Sequence, residues 1–287
     1  MATEKTILIT GCSENGIGAA LAQALALAPA GYTVFATARN PSKIPSTLTS
    51  LANVKVLTLD VTSASSVADA VKAVEVGGGG RLDVLVNNSG VGYTIPLLDV
   101  DVDKAKEVYD INLWGVVRMV QAFAGLLIKS KGRVVNVSSV GAVVNTPWIG
   151  VYSSSKAALN QFSDTLRLEL SPFGVSVVTI MVGTVTTPFH ANEPDVELPP
   201  SSYYSVIRET IQQWAKGEAG PNKRGSAEDL AAELVDDIVG NASGQVWKGA
   251  NSVAIKIVSR WVPAWILDGM MSTGQGIHEL AKSLGRP

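Results

Sequence analysis

Tyr152 and Lys156 stand four residues apart, and Ser139 lies thirteen residues before the tyrosine. Residues four apart on a helix share one face, so the phenol and the ammonium can point into one site. A hydroxyl, a phenol and a lysine brought together suit proton transfer to or from an alcohol or carbonyl oxygen. A phenol has an ordinary pKa near ~10. A nearby cation stabilises the phenolate and lowers that value, which makes a tyrosine serviceable as a general acid or base near neutral pH. Tyr-x-x-x-Lys alone is a common surface pattern. The serine at a fixed distance, and the chain upstream, make it specific.

The elements that must position these groups alternate along the chain. Short apolar runs at 6–9, 32–37, 54–59, 82–86, 133–138 and 175–181 read as strands. Helical patterns occupy 19–28, a stretch from about 63, and 103–129, 151–170 and 227–239, with a last strand at 245–248. Strand and helix in alternation imply an α/β fold: a Rossmann-like, doubly wound parallel sheet of about seven strands with helices on both faces. Ligands of such sheets bind at the carboxyl ends of the strands, near the switch in strand order. The polar clusters of this chain all fall at such ends or on a helix beside them.

The first strand runs into Thr10-Gly11-Cys12-Ser13-Glu14-Asn15-Gly16-Ile17-Gly18 and then an alanine- and leucine-rich helix. Strand, glycine loop and helix form a dinucleotide cradle: glycines admit the backbone to a pyrophosphate, and the helix start offers free N–H groups. The plainer alternative is a tight turn without a ligand. After the second strand, where an NAD site usually has a carboxylate for the ribose, the chain has Ala38 and then Arg39. A guanidinium there can pair with the 2′-phosphate of NADP, or simply face water; Glu14 argues mildly against a phosphate nearby. Asp60-Val61 closes the third strand, and Asp60 either meets an adenine amino group or caps the following helix. The fourth strand ends in Asn87-Asn88-Ser89-Gly90. Asn112, polar among core residues, either makes a buried structural hydrogen bond or holds a water beside Lys156 as a proton relay.

The bulk composition narrows the field. Apolar residues make up 46% of 287, enough for a large core, and the formal charge of -2 without a basic block argues against nucleic acid as a partner. A single cysteine, Cys12, forms no internal disulfide. The two histidines have no metal-ligand spacing, the N-terminus lacks a signal-peptide core, and no uninterrupted apolar run is long enough to span a bilayer.

From residue 6 to about 247 these motifs resemble the short-chain dehydrogenase/reductase family. The resemblance implies that Asn112, Ser139, Tyr152 and Lys156 form a catalytic tetrad, with Tyr152 giving the proton, Ser139 polarising the carbonyl, and Lys156 holding the nicotinamide ribose. It implies that Gly11, Ser13, Asn15, Gly16, Ile17 and Gly18 cradle the pyrophosphate, that Asp60 and Val61 meet adenine, and that Asn88 braces the sheet. Gly183, Val185 and Thr187 would lie by the nicotinamide amide, and hydride would come from its C4. Three departures stand out. Four residues separate Gly11 from Gly16 where three are usual, so the loop is expected to bulge. Ser89 replaces an alanine. Val182-Gly183 stands for Pro-Gly, which leaves that backbone less restrained. Within the family the chain looks most like fungal-type NADPH-dependent 1-acyldihydroxyacetone-phosphate reductases. Fungal reductases of specialised metabolites share the scaffold, and a non-catalytic NADP-sensing protein is the alternative from another class.

Residues 1–250 are thus expected to be one NADP-binding catalytic domain, with 188–225 as a substrate lid and Tyr203, Tyr204, Ile207 and Trp214 lining it or packing on the core. Residues 251–287 form an apolar extension rather than a second domain. In 253–271, tryptophans, isoleucines and methionines are interleaved with Lys256 and Arg260. That stripe could lie on a lipid surface, cap the pocket for a small-molecule carbonyl substrate, or join subunits of the homodimer or homotetramer the family implies. The expected location is cytoplasmic, peripheral on the endoplasmic reticulum or lipid droplets.

Overall fold

The computed structural model describes residues 5–193 and 196–286. Its strands are β1 Thr6–Ile9, β2 Thr33–Ala38, β3 Val54–Thr58, β4 Val84–Asn87, β5 Arg133–Ser139, β6 Ser176–Val182 and β7 Gly244–Lys248. All pair in parallel in one sheet of order β3-β2-β1-β4-β5-β6-β7. The helices are α1 Ile17–Ala26, α2 Ser46–Thr49, α3 Ala64–Gly77, α4 Val102–Tyr109, α5 Gly115–Ser130, α6 Gly150–Leu170, α7 Arg208–Ala215, α8 Ala227–Val239, α9 Ser252–Trp261, α10 Ala264–Ser272 and α11 Ile277–Ser283.

Successive strand residues point to opposite faces, and here both faces are apolar. Ile7, Ile9, Val34, Ala36, Val84, Val86, Val135 and Val178 pack with α1, α2 and α8. Leu8, Phe35, Leu85, Val134 and Val177 pack with α3, α5 and α6 on the other side. Sheets covered on both faces need such unbroken apolar strands. The order reverses between β1 and β4, and that crevice is where loops from both halves of the sheet meet.

The helix expected at 103–129 is not regular. α4 passes through a π turn, Asp110–Trp114, before α5 continues. Periodicity cannot show one inserted residue, but the insertion has a local cause: it coincides with Asn112, whose amide binds the loop after β4 and α6. Residues Val102–Ser130 are also long and apolar enough to cross a bilayer, contrary to the sequence expectation. In this fold, however, Val116, Met119, Val120, Phe123, Leu126 and Leu127 bury that helix's inner face against the sheet.

The tail packs back on the body. Asn145 Nδ2 donates to Asp268 at 2.9 Å, and the Trp148 indole N–H donates to the Gln275 carbonyl at 3.0 Å. Gly276 takes φ +78°, and a Cβ there would lie 3.2 Å from Ile207. Residues 268–280 therefore cover the loop that precedes α6. The outer side of α9 and α10 stays bare, with Trp261 82% and Trp265 75% exposed. Of the aromatics expected to line a lid, Tyr204 and Trp214 join a third apolar cluster with Trp148 and Ile211, which also contains Ile207. Tyr203 faces solvent instead.

Candidate active site

β5 ends at Ser139, and the chain returns as α6 after a loop held by Ile95 N–H on the Trp148 carbonyl, 2.7 Å. That return brings Tyr152, in the first turn of α6, beside Ser139: a Cβ on Gly141 would meet Ser139 Oγ at 3.3 Å and the Tyr152 ring at 3.7 Å. Ser139 Oγ accepts from Gly141 N–H at 3.0 Å, which fixes its direction. One turn on, the Lys156 ammonium donates to the Val137 carbonyl at 2.9 Å and lies 6.0 Å from the centre of the Tyr152 ring. A Cβ on Gly90 would stand 3.3 Å from Asn112 Oδ1 and 3.4 Å from Lys156 Nζ, so both groups close on that glycine.

Asn112 is fully buried, and its side chain is spent on structure. Oδ1 accepts from Val91 N–H at 2.9 Å, while Nδ2 donates to the Val91 carbonyl and to Ser155 Oγ. Both amide hydrogens are used, so the side chain makes the buried structural bond, one of the two roles the sequence allowed. A second amide relay ties the strands together below. Asn87 Nδ2 donates to Asn136 Oδ1, and Asn136 Nδ2 donates to Ser163 Oγ, each at 2.8 Å.

The electrostatics depart from the expected acid phenol. Burial pushes the Tyr152 pKa up; the Ser139 hydroxyl opposes this, but the charge of Glu193 adds to it. Burial brings Lys156 down to about 8. The Lys156 ammonium, which donates to the Val137 carbonyl and stands 6.0 Å from the ring centre, is not among the groups that move the phenol.

These groups line one end of a cleft of about 860 Å³. Its walls include Gly11, Ser13, Asn15, Gly16, Ile17, Arg39, Asp60, Val61, Asn88, Ser139, Tyr152, Lys156, Gly183, Val185 and Thr187. Gly18 is not on the wall. A Cβ there would lie 2.4 Å from the Gly11 carbonyl oxygen and 2.5 Å from Asn88 Nδ2, so its glycine serves helix packing. Gly11 needs its φ of +73°, and Asn88 Nδ2 donates to the Thr10 and Gly11 carbonyls. The extra loop residue is absorbed by Asn15 at φ 59° within a turn closed by Gly16 N–H on the Ser13 carbonyl. The backbone at Gly183 is pinned, not loose. Its N–H donates to the Lys248 carbonyl at 2.9 Å, and a Cβ would fall 1.9 Å from the Ala250 oxygen. A second cavity of similar volume, lined by Arg39, Val102, Tyr109 and Trp114, holds none of the reacting hydroxyls.

At the other end of the cleft Arg39 is exposed. Asp60 does not cap α3, because Ser63 does. Asp60 Oδ1 accepts instead from Thr62 N–H at 2.9 Å and Thr62 Oγ1 at 2.7 Å. Burial pushes its carboxyl up, but the Thr62 bonds, with Arg39 and Arg118, hold it below the usual range. Sequence reasoning missed Asn40, Ser42 and Lys43, which share this wall. The signal was Asn40 ahead of Pro41, a turn-starting pair; its 3₁₀ turn is tied to the glycine loop by Glu14 N–H on the Lys43 carbonyl, 2.8 Å.

A glycine-lined cleft at the β1/β4 crevice, leading to a hydroxyl pair and a buried lysine, defines a nucleotide-binding α/β oxidoreductase site. Residues 5–197 match the short chain dehydrogenase family, and the chain belongs to it. It is 44% identical over 264 residues to the short-chain dehydrogenase cctT of Talaromyces islandicus, covering 90% of this chain and 91% of that one. It is 41% identical over 215 residues to an NADPH-dependent 1-acyldihydroxyacetone phosphate reductase of Schizosaccharomyces pombe, covering 74% of this chain and 71% of that one. Among solved structures, a short chain dehydrogenase from Burkholderia cenocepacia in complex with NADP has TM-score 0.74 at 23% identity, over 95% of this chain and all of that one. At that identity the likeness concerns the fold.

Proposed function

We propose that this protein is an NADPH-dependent carbonyl reductase that interconverts a ketone and a secondary alcohol. The observation that carries the reading is that Ser139, Tyr152 and Lys156 stand together at the end of a glycine-walled cleft. The residues present fit a dinucleotide: Gly11 leaves backbone bare at the β1 end, and the end of β2 carries a guanidinium and no carboxylate. Gly11, Ser13, Asn15, Gly16 and Ile17 would hold the pyrophosphate, Arg39 with Ser42 and Lys43 the 2′-phosphate, Asp60 and Val61 the adenine, and Lys156 the nicotinamide ribose. Gly183, Val185 and Thr187 would border the amide. The nicotinamide, when bound, supplies the hydride equivalent.

The chain's own groups do the proton chemistry. A phenol held above its ordinary pKa stays protonated at neutral pH and acts as the acid of the reductive direction. Ser139, oriented by Gly141 N–H, donates to the carbonyl oxygen that receives that proton. Lys156, at about 8, remains mostly an ammonium at pH 7.

As substrate, an acyl-ketone lipid such as 1-acyldihydroxyacetone phosphate follows the Schizosaccharomyces pombe relative. A ketone of fungal specialised metabolism is the second reading, on a scaffold shared with the short-chain dehydrogenase cctT of Talaromyces islandicus. Residues 1–250 act as a single catalytic domain with 188–225 as its lid, and the chain assembles as a homodimer or homotetramer. The bare face of α9 and α10 carries Val253, Ile257, Trp261 and Trp265 next to Arg260, and it supports peripheral contact of a cytoplasmic protein with a lipid surface. The deciding experiment is NADPH oxidation against acyl-ketone phosphates, polyketide-type ketones and steroid ketones, with NADH in parallel. Turnover favouring NADPH is expected. Tight NADPH binding without oxidation by any ketone would instead establish a cofactor-sensing protein.

A further inference from the structure

Four lysines and arginines stand on the cleft wall among the described residues: Arg39, Lys43, Lys156 and Arg224. Arg39 and Lys43 follow β2, at the other end of the cleft from the reacting hydroxyls, and the Lys156 ammonium donates to the Val137 carbonyl at 2.9 Å. Arg224 has no part in that scheme. It sits half-buried in the loop between α7 and α8, on the wall that Val185, Thr187 and His190 also form.

The backbone beside Arg224 is fixed to the segment that leaves β6. Gly225 bridges Val185 in parallel: its N–H donates to the Thr184 carbonyl, and its own carbonyl accepts from Thr186 N–H, each at 2.9 Å. Thr184 comes two residues after Val182, which pairs with Ser139 across the sheet. On the other side, the Lys223 carbonyl accepts from Asn251 Nδ2 at 3.0 Å. The guanidinium is braced as well. Nε donates to the Pro221 carbonyl at 3.2 Å and Nη2 to the Ala219 carbonyl at 2.8 Å. Gly220 between those two takes φ +112°, a conformation open to glycine. The same loop turns past His190, since a Cβ on Gly217 would meet that ring at 2.6 Å. His190 stands 5.5 Å from Phe189, whose ring sets its edge on Tyr152 at 5.4 Å.

A guanidinium has five N–H groups, and the two bonds leave its Nη1 pair without a partner among the described residues. No described carboxylate forms an ion pair with it. Glu193, on the neighbouring turn, is 3% exposed, lies 2.8 Å from His190 Nδ1 and is not on the wall. The wall's own carboxylates, Glu14 and Asp60, belong to the glycine loop and the end of β3. The cofactor offers no anion here either. NADPH carries its negative charge on the pyrophosphate and the 2′-phosphate, whereas the ring and amide that Gly183, Val185 and Thr187 would border are uncharged. An unpaired fork of N–H groups at that end suits an oxyanion on the other reactant.

We propose that Arg224 determines specificity by pairing with an anionic group, a phosphate or a carboxylate, carried on the ketone substrate. The proposal rests on the carbonyl-reductase reading and names the substrate class of that site: anionic ketones ahead of neutral ones. Of the two substrate readings it favours the acyl-ketone phosphate.

The test uses the full chain with NADPH and matched ketones. Phenacyl phosphate is paired with phenacyl alcohol, and levulinate with methyl levulinate. The readout is the kcat/KM ratio of anion to neutral partner within each protein, so that any change in turnover common to both cancels. Wild type should favour at least one anion roughly tenfold or more, as for charge-assisted bonds to an oxyanion. Arg224→Gln should bring that ratio close to unity and Arg224→Glu should invert it. Arg224→Lys, which keeps the charge without the fork, should retain part of it and serves if the other variants do not fold. Titrations with NADPH and NADH in the absence of ketone separate the sources of the anion. Weaker binding of both cofactors to Arg224→Gln, with the substrate ratios unmoved, would put the guanidinium on the pyrophosphate and overturn the proposal. Ketone reduction by wild type with no preference for either anion overturns the proposal alone. A wild type that reduces no ketone overturns the reductase reading and the proposal with it.

Discussion

Gly18→Ala tests the packing that shapes the cofactor end of the cleft. The added methyl would sit 2.4 Å from the Gly11 oxygen, 2.9 Å from the Gly11 carbonyl carbon and 2.5 Å from Asn88 Nδ2. That is roughly 1 Å short of ordinary contact. Neither neighbour is a free chain end. Gly11 holds φ +73°, and Asn88 Nδ2 is bound to the Thr10 and Gly11 carbonyls at 2.9 and 3.1 Å. Relief therefore requires moving α1 away from the β1 loop, an overpacking strain of about 1–3 kcal/mol. For a chain of this size that lowers Tm by roughly 2–5 °C. Gly11 and Asn88 line the cleft, so NADPH should bind more weakly as well, roughly tenfold for each ~1.4 kcal/mol that falls on the bound form. Gly125→Ala is the internal control. Gly125 lies mid-helix in α5 with nothing within 4 Å of a built Cβ, and alanine there should stabilise by about 0.5–1 kcal/mol. Thermal melts and cofactor titrations of both variants read the contrast. Equal melting temperatures and equal affinity for NADPH would refute the packing described here.

Arg39→Asp removes charge-assisted bonds of about 1.5–3 kcal/mol, so kcat/KM with NADPH should fall roughly 10–150-fold while NADH is little affected; an unchanged cofactor ratio removes Arg39 from the site. The pH profile of reduction should be level near neutrality and decline through about 8, as Lys156 loses its proton while the raised phenol keeps its own. The linkage runs the other way for stability. The folded lysine titrates at about 8 against an ordinary value of 10.5, so between those values the unfolded chain holds more protons and the Lys156 contribution to stability rises with pH. Activity level to pH 9.5 would contradict the assignment. In flotation with anionic liposomes the full chain should rise with the vesicles and Trp261→Ser/Trp265→Ser should stay below; equal behaviour assigns the bare face to something other than lipid.

The sheet was legible because both of its faces are apolar: runs such as Ile7–Ile9 and Val134–Val137 leave few readings other than buried parallel strands, and the glycine loop marks the switch point. The positions of Ser139, Tyr152 and Lys156 followed from one strand end and one helical repeat. What the sequence hid was long-range. The π turn at Asn112 is an insertion of one residue that leaves the apolar period nearly intact, and its cause lies in Val91 and Ser155. Gly18 looked like a ligand-facing glycine, but what it admits is the neighbouring Gly11 backbone; Gly183 lines the cleft and admits the Ala250 carbonyl as well. The state of the Tyr152 phenol was misread because sequence spacing shows the lysine and cannot show the depth of burial, or Glu193 arriving from 41 residues downstream. The tail's contact with Trp148, made by Gln275 beyond the 253–271 stripe, was not among the three alternatives read there, since an apolar stripe does not name the surface that receives it.

The most direct test of the central claim is Tyr152→Phe, measured as single-turnover NADPH oxidation on a ketone the wild type reduces, alongside NADPH affinity. The phenyl ring keeps the contact with Phe189 and loses only the phenolic proton donor. The account predicts a rate lower by roughly 10²–10⁴-fold with cofactor affinity close to wild type. A variant that turns over at the wild-type rate would contradict it.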